Sequence, residues 1–171
     1  MHDPTRLTPW AGAPGHTNKR DLYADLSAEL DALLAGEPDP VANAANAAAA
    51  IFYSLDRLSW AGFYFLRGDQ LVLGPFQGRP ACLRIPLGQG VCGTAAATRA
   101  SMLVPDVSRF PSHIACDPAS RSELVVPLLN SGALLGVLDL DSPDLERFDA
   151  ADQQGCEALA RIIARHLASQ A

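Results

Sequence analysis

Residues 122–141, SELVVPLLNSGALLGVLDLD, hold two β-rich apolar runs on either side of Asn130-Ser131-Gly132. Such runs around a short Asn/Gly turn predict an antiparallel hairpin, Ser122 to Leu129 and Ala133 to Leu140. The side-chain period of two sends Asp139 and Asp141 to one face and Leu138 and Leu140 to the other. Glu123 also lies on this hairpin, and Val125 and Val137 adjoin the acids. Upstream, Trp60 to Leu66 and Gln70 to Phe76 flank Arg67-Gly68-Asp69 and predict a second hairpin. Cys82 to Pro86 and Met102 to Val104 read as short strands. Because hairpins dominate the connections, the expected sheet is mainly antiparallel with helices against a face, an α/β (α+β) fold.

The helices are legible from periodicity and caps. A helix opening at Thr17 or Asn18 carries Leu22, Leu26, Leu30 and Leu33 as one apolar stripe. Gly36 to Pro40 breaks it, and Asp39 before Pro40 reads as the cap of a second helix running to about Leu55. Its alanines predict close packing against a sheet or another helix. Gly88 to Arg99 reads as a glycine-rich turn opening a short helix, and its glycines match no dinucleotide or phosphate-loop pattern. From Phe148 a last helix places Cys156, Leu159, Ile163 and Leu167 on one stripe. The seventeen residues from Pro105 to Arg121 have three prolines and no periodicity, so a long loop, functional or disordered, is expected there.

The chain has 171 residues, 49% hydrophobic and 19% charged, with net charge −6. That suits one globular domain, residues 17–171, behind a Pro- and Gly-rich N-terminal extension, residues 1–16, in which Trp10 reads as an anchor. The acidic balance argues against nucleic acid and anionic membranes as partners. No signal-peptide pattern or membrane span is read, so a cytoplasmic location is expected, where thiols stay reduced and a disulfide is transient or catalytic.

Cys82, Cys92 and Cys116 fall at the ends of elements or in the long loop; they read either as reactive thiols or as small buried hydrophobes. Cys156 reads as core. His113 and Cys116 are three apart, but no common zinc spacing exists, so no metal is expected. Glu123, Asp139 and Asp141 suit an ammonium site or a shared proton, or else a solvated face. Trp60 and Tyr64 share a strand face, as an aromatic wall or as core packing. On electrostatics alone Cys92 is the best thiolate, since it lies at a helix N-terminus, whereas Asp117 disfavours a Cys116 thiolate.

The stretches SWAGFYFL (59–66), LVLGPFQGRPACLRIPLGQGVCGTAAAT (71–98), LVPDVSRFPSHIACDPASRSELVVPL (103–128) and LGVLDLDSP (135–143) resemble the free methionine-(R)-sulfoxide reductases of the GAF-domain superfamily. The resemblance runs from about Lys19 to Leu167. It implies a single domain with a six-stranded antiparallel sheet, a homodimer, free methionine (R)-sulfoxide as substrate, no bound cofactor and thioredoxin as reductant, in defence against oxidative stress. By resemblance Cys116, in H-I-A-C-D, is the nucleophile; Cys82, in P-A-C, forms the disulfide with it; Cys92, in G-V-C-G-T, is auxiliary. Glu123, Asp139 and Asp141 correspond to the family's acids, and Trp60 and Tyr64 to its aromatic pocket. The alternative class is a GAF module that senses a small ligand or redox state without turnover.

Overall fold

The computed structural model describes residues 18–111 and 118–168. Asn18 starts the first helix by accepting the Asp21 N–H at 2.9 Å, and α1 runs Lys19–Leu34. Asp39 accepts from Val41 and Ala42 at 2.8 and 2.9 Å to open α2, Pro40–Ser54, with proline in the first turn where no N–H is needed. Two strands follow, β1 (Trp60–Arg67) and β2 (Gln70–Gln77), then β3 (Arg84–Pro86). After α3 (Gly90–Thr98) come β4 (Met102–Val104), β5 (Ser122–Asn130), β6 (Ala133–Ser142) and α4 (Ala150–Ala168). The last helix opens at Ala150 rather than Phe148, because Asp149 caps it through the Ala151 and Asp152 N–H groups.

The strands form one six-stranded antiparallel sheet in the order β3-β2-β1-β6-β5-β4. Its two faces differ. Ala61, Phe63, Leu124, Val126, Leu128, Leu138 and Leu140 point to one side and form a core with α1, α2 and α4. Ala44, Ala47 and Ala48 let α2 lie close to β1 and β2. Trp60, Tyr64, Val125 and Val137 point to the other side, which α3 covers with Val91, Cys92, Ala95 and Ala96. The expected helical layer is therefore split between the faces, three helices against one.

Two expectations need correction. The stripe of α1 closes on Leu34, not Leu33, which is 37% exposed, and Tyr23 joins the buried set. At about 100° per residue Tyr23, Leu26, Leu30 and Leu34 fall within one arc of about 80°, and Leu22 and Leu33 lie at its edge, so the buried face is offset along the whole helix. The third strand starts at Arg84, not Cys82. Beyond β3 the Leu73 N–H still donates to the Leu83 carbonyl at 3.0 Å, but the Cys82 carbonyl is taken by the Tyr64 hydroxyl instead. Part of the long loop is ordered by Asp106, which caps the short 3-10 turn Val107–Arg109.

The α1–α4 contact holds a buried carboxylate with full partners. Asp152 accepts from Tyr23 at 2.9 Å, Lys19 at 2.5 Å, Arg147 at 3.2 Å and the Asp149 N–H at 2.9 Å. The Cys156 thiol donates to the Tyr23 hydroxyl at 3.7 Å, and burial pushes it up to about 12, in line with its core reading. Gly155 lies directly under the Tyr23 ring, where a Cβ would meet three ring carbons. Gly155→Ala should therefore lower stability by about 1–3 kcal/mol through overpacking. Thermal melts should show a drop of roughly 2–4 °C per kcal/mol; an unchanged midpoint would mean that the two helices separate freely.

Candidate active site

The β5–β6 register builds the site. Glu123 stands opposite Asp141 and Val125 opposite Asp139, while Trp60 of β1 pairs with Asp141 and Gly62 with Asp139. All of these side chains except that of Gly62, which has none, lie on the α3 side of the sheet, because antiparallel partners share a face. Glu123 and Asp139 are 7% and 6% exposed, so the solvated-face reading is excluded for them; Asp141 is half-buried beside them.

Cys92, in the first turn of α3, completes the cluster from above. It is 4% exposed, and its thiol donates to Glu123 Oε1 at 3.9 Å. Donor atoms of Cys92, Glu123 and Asp139 lie within 4.8 Å of one another, enough to hold a small cation. No Lys or Arg among the described residues forms a salt bridge with Glu123 or Asp139. Asp139 Oδ1 is buried with no hydrogen-bond partner among them.

The electrostatics follow from this arrangement. Burial, then Asp139 and Asp141, lifts Glu123 well above the carboxylate range. Burial pushes Asp139 up to about 6, against the hydrogen bonds from Cys92 and Glu123 that pull it down. Burial and the acids Asp139 and Glu123 hold the Cys92 thiol well above its usual value. The expectation that a helix N-terminus makes Cys92 the best thiolate is thus overturned. A partial dipole charge does not offset desolvation plus two acids in contact.

Trp60 and Tyr64 are buried and stacked, with centroids 5.9 Å apart and planes at 24°. Their polar ends turn to the segment before β3: Trp60 Nε1 donates to the Arg79 carbonyl at 3.1 Å and Tyr64 Oη to the Cys82 carbonyl at 3.0 Å. No sequence period shows these bonds. Cys82 is half-buried and disulfide-bonded, whereas Cys92 and Cys156 are free. His113, Cys116 and Asp117 lie outside the described residues.

The sequence matches the GAF domain over residues 29–168. It is 48% identical over 152 residues to the free methionine-R-sulfoxide reductase of Escherichia coli, covering 89% of this chain and 92% of that protein. The chain belongs to the GAF-domain family of free methionine-R-sulfoxide reductases. The Saccharomyces cerevisiae reductase is 43% identical over 154 residues, covering 85% and 86%. The X-ray structure of the reductase from Neisseria meningitidis in complex with its substrate superposes with a TM-score of 0.87 at 43% identity, covering 91% of this chain and 93% of that one.

The raised pKa of Asp139 has a consequence for the stability of this reductase-family chain. The folded state binds the proton more tightly than the unfolded state, so this stability is present below the ordinary value near 3.8 and is lost as pH rises through about 6. Asp139→Asn removes that dependence. Relative to wild type, the variant should gain about 2–3 kcal/mol between pH 4 and pH 8. Denaturant melts at the two pH values measure the gap, and one that does not widen with pH would show that Asp139 titrates as an ordinary surface acid.

Proposed function

We propose that the chain reduces free L-methionine (R)-sulfoxide to methionine, as a thiol-dependent oxidoreductase in defence against oxidative stress. The observation that carries this reading is the buried Glu123–Asp139 pair, which has no basic partner among the described residues yet presents an unpartnered oxygen. Two such acids do different work at neutral pH. Glu123, lifted furthest, keeps its proton and can give it to a sulfoxide oxygen; Asp139, at about 6, is mostly ionised and can hold an α-ammonium group. Asp141 adds negative charge at the rim, and Trp60 and Tyr64 supply an apolar wall for the methyl end.

The sulfoxide sulfur becomes electrophilic once its oxygen is protonated. The Cys116 thiolate attacks it, methionine leaves, and the oxygen remains as a sulfenic acid on Cys116. The Cys82 thiol then displaces that oxygen as water, and a Cys82–Cys116 disulfide forms. An external dithiol, thioredoxin, reduces it by exchange. Support for this division comes from the other cysteines. Cys92 and Cys156 are buried, free and held protonated, which suits an auxiliary and a core thiol, while Cys82 carries a disulfide. A homodimer in the cytoplasm is the working form that the resemblance implies; among the described residues no helix is long and apolar enough to cross a membrane.

NADPH consumption with thioredoxin, thioredoxin reductase and free methionine sulfoxide tests the activity; no consumption would favour the sensor class. Glu123→Gln should lower turnover at least about a hundredfold, the usual minimum for a general acid. If Asp139 grips the ammonium, N-acetyl-methionine sulfoxide should react about ten- to a hundredfold more slowly than the free amino acid, the worth of one charged hydrogen bond. Equal rates would remove the ammonium role. Cys116→Ser should abolish even one turnover, whereas Cys82→Ser should release one methionine per chain and leave a sulfenic acid that dimedone traps. A stoichiometric burst from Cys116→Ser, with the adduct on Cys92, would reverse the assignment.

A further inference from the structure

The segment between β2 and β3 that carries Cys82 is anchored at two points by one stack of rings. Trp60 Nε1 donates to the Arg79 carbonyl at 3.1 Å, and Tyr64 Oη donates to the Cys82 carbonyl at 3.0 Å. The rings cannot easily turn away. Trp60 stacks on Tyr64 and also on Phe76, the latter with centroids 5.2 Å apart and planes at 15°. Gly78 begins the segment at φ +127°, and a Cβ there would stand 2.6 Å from Trp60 Cδ1, so the backbone rests on the indole itself. Burial, then the nearby acids, keeps the Tyr64 hydroxyl protonated and therefore a donor. These bonds take the place of ladder pairing, for β3 starts only at Arg84.

We propose that Trp60 and Tyr64 are positioning residues for Cys82, holding the backbone that carries its sulfur so that the disulfide closes quickly once substrate has reacted. The inference rests on the reading of Cys82 as the resolving thiol. In the step concerned, the S–O bond of the sulfenic acid breaks, the S–S bond forms, and water leaves with the Cys82 proton. The Cys82 sulfur is oxidised and the sulfenic sulfur reduced. A disulfide tolerates only a narrow range of backbone separation, about 4.4–6.8 Å between Cα atoms, so an unanchored segment spends less time within reach.

Tyr64→Phe removes one hydroxyl and keeps the ring. Reduced protein is mixed with one equivalent of free methionine sulfoxide and quenched over time. Methionine is assayed by chromatography, and the sulfenic acid and disulfide by dimedone trapping and mass spectrometry. Closure is timed after methionine has left, so any contact of the ring with substrate does not enter. Closure should slow roughly three- to tenfold, the worth of one neutral hydrogen bond. Equilibrated against a glutathione buffer, the disulfide should become easier to reduce by a similar factor. Gly155→Ala, which loosens the opposite face of the sheet, should change neither readout.

Wild-type closure and wild-type equilibrium in Tyr64→Phe would overturn the proposal. If that variant fails to fold, Trp60→Phe decides by the same two measurements. A wild-type protein that releases no methionine would sink the reductase reading instead, and the glutathione equilibrium would still decide this one.

Discussion

Two carboxyl groups held side by side on a buried sheet face, without a basic partner among the described residues, constrain much of the rest of the molecule. The β5–β6 register makes this possible by alternation. Glu123, Asp139 and Asp141 take one face, and Leu124, Leu138 and Leu140, all fully buried, take the other. A slip of one residue would push the acids into the core under α1 and α4 and lift the leucines into the site. The leucine face therefore fixes the position of the acids, since the register is set wherever one face is buried. Chemistry on one side of the sheet is placed by packing on the other.

The contrast with Asp152 shows why the pair reads as a site. Asp152 is equally buried, but Lys19, Arg147, Tyr23 and a backbone N–H satisfy it, and it joins α1 to α4. Among the described residues Asp139 has no such cation, and its Oδ1 has no hydrogen-bond partner. The second arrangement suits the proposed substrate, which would bring the missing donors. An ammonium group supplies three.

Much of this was legible before the structure. The hairpins, the Asp39 cap, Asn18 as one of two candidate caps, the shared face of Asp139 and Asp141, and the core position of Cys156 follow from periods and turn chemistry, which are local. What failed depended on tertiary context. The spacing of Leu22 and Leu33 leaves either edge of the α1 face eligible, and only packing selects the one that Tyr23 and Leu34 share. Cys82 was placed in a strand whose pairing is interrupted by a tyrosine from elsewhere in the sheet. Cys92 was given a low pKa from its helix position, because its contact with Glu123 and Asp139 comes from residues 31 and 47 positions away. The readings of Cys116 as nucleophile and Cys82 as its disulfide partner rest on motif resemblance and not on spacing, whereas the ammonium or shared-proton reading of the acids follows from the strand period.

The thiol chemistry then follows from the acids. A nucleophile needs its thiolate, and a buried thiol touching two buried carboxyl groups is poorly suited to form one. Cys92 is for the same reason a good neighbour for them: protonated, it donates to Glu123 without adding charge. Burial and the charges of Asp139 and Asp141 lift Glu123, while its hydrogen bond to Asp139 pulls that carboxyl down, so two neighbouring acids on one sheet face differ in how tightly they hold a proton.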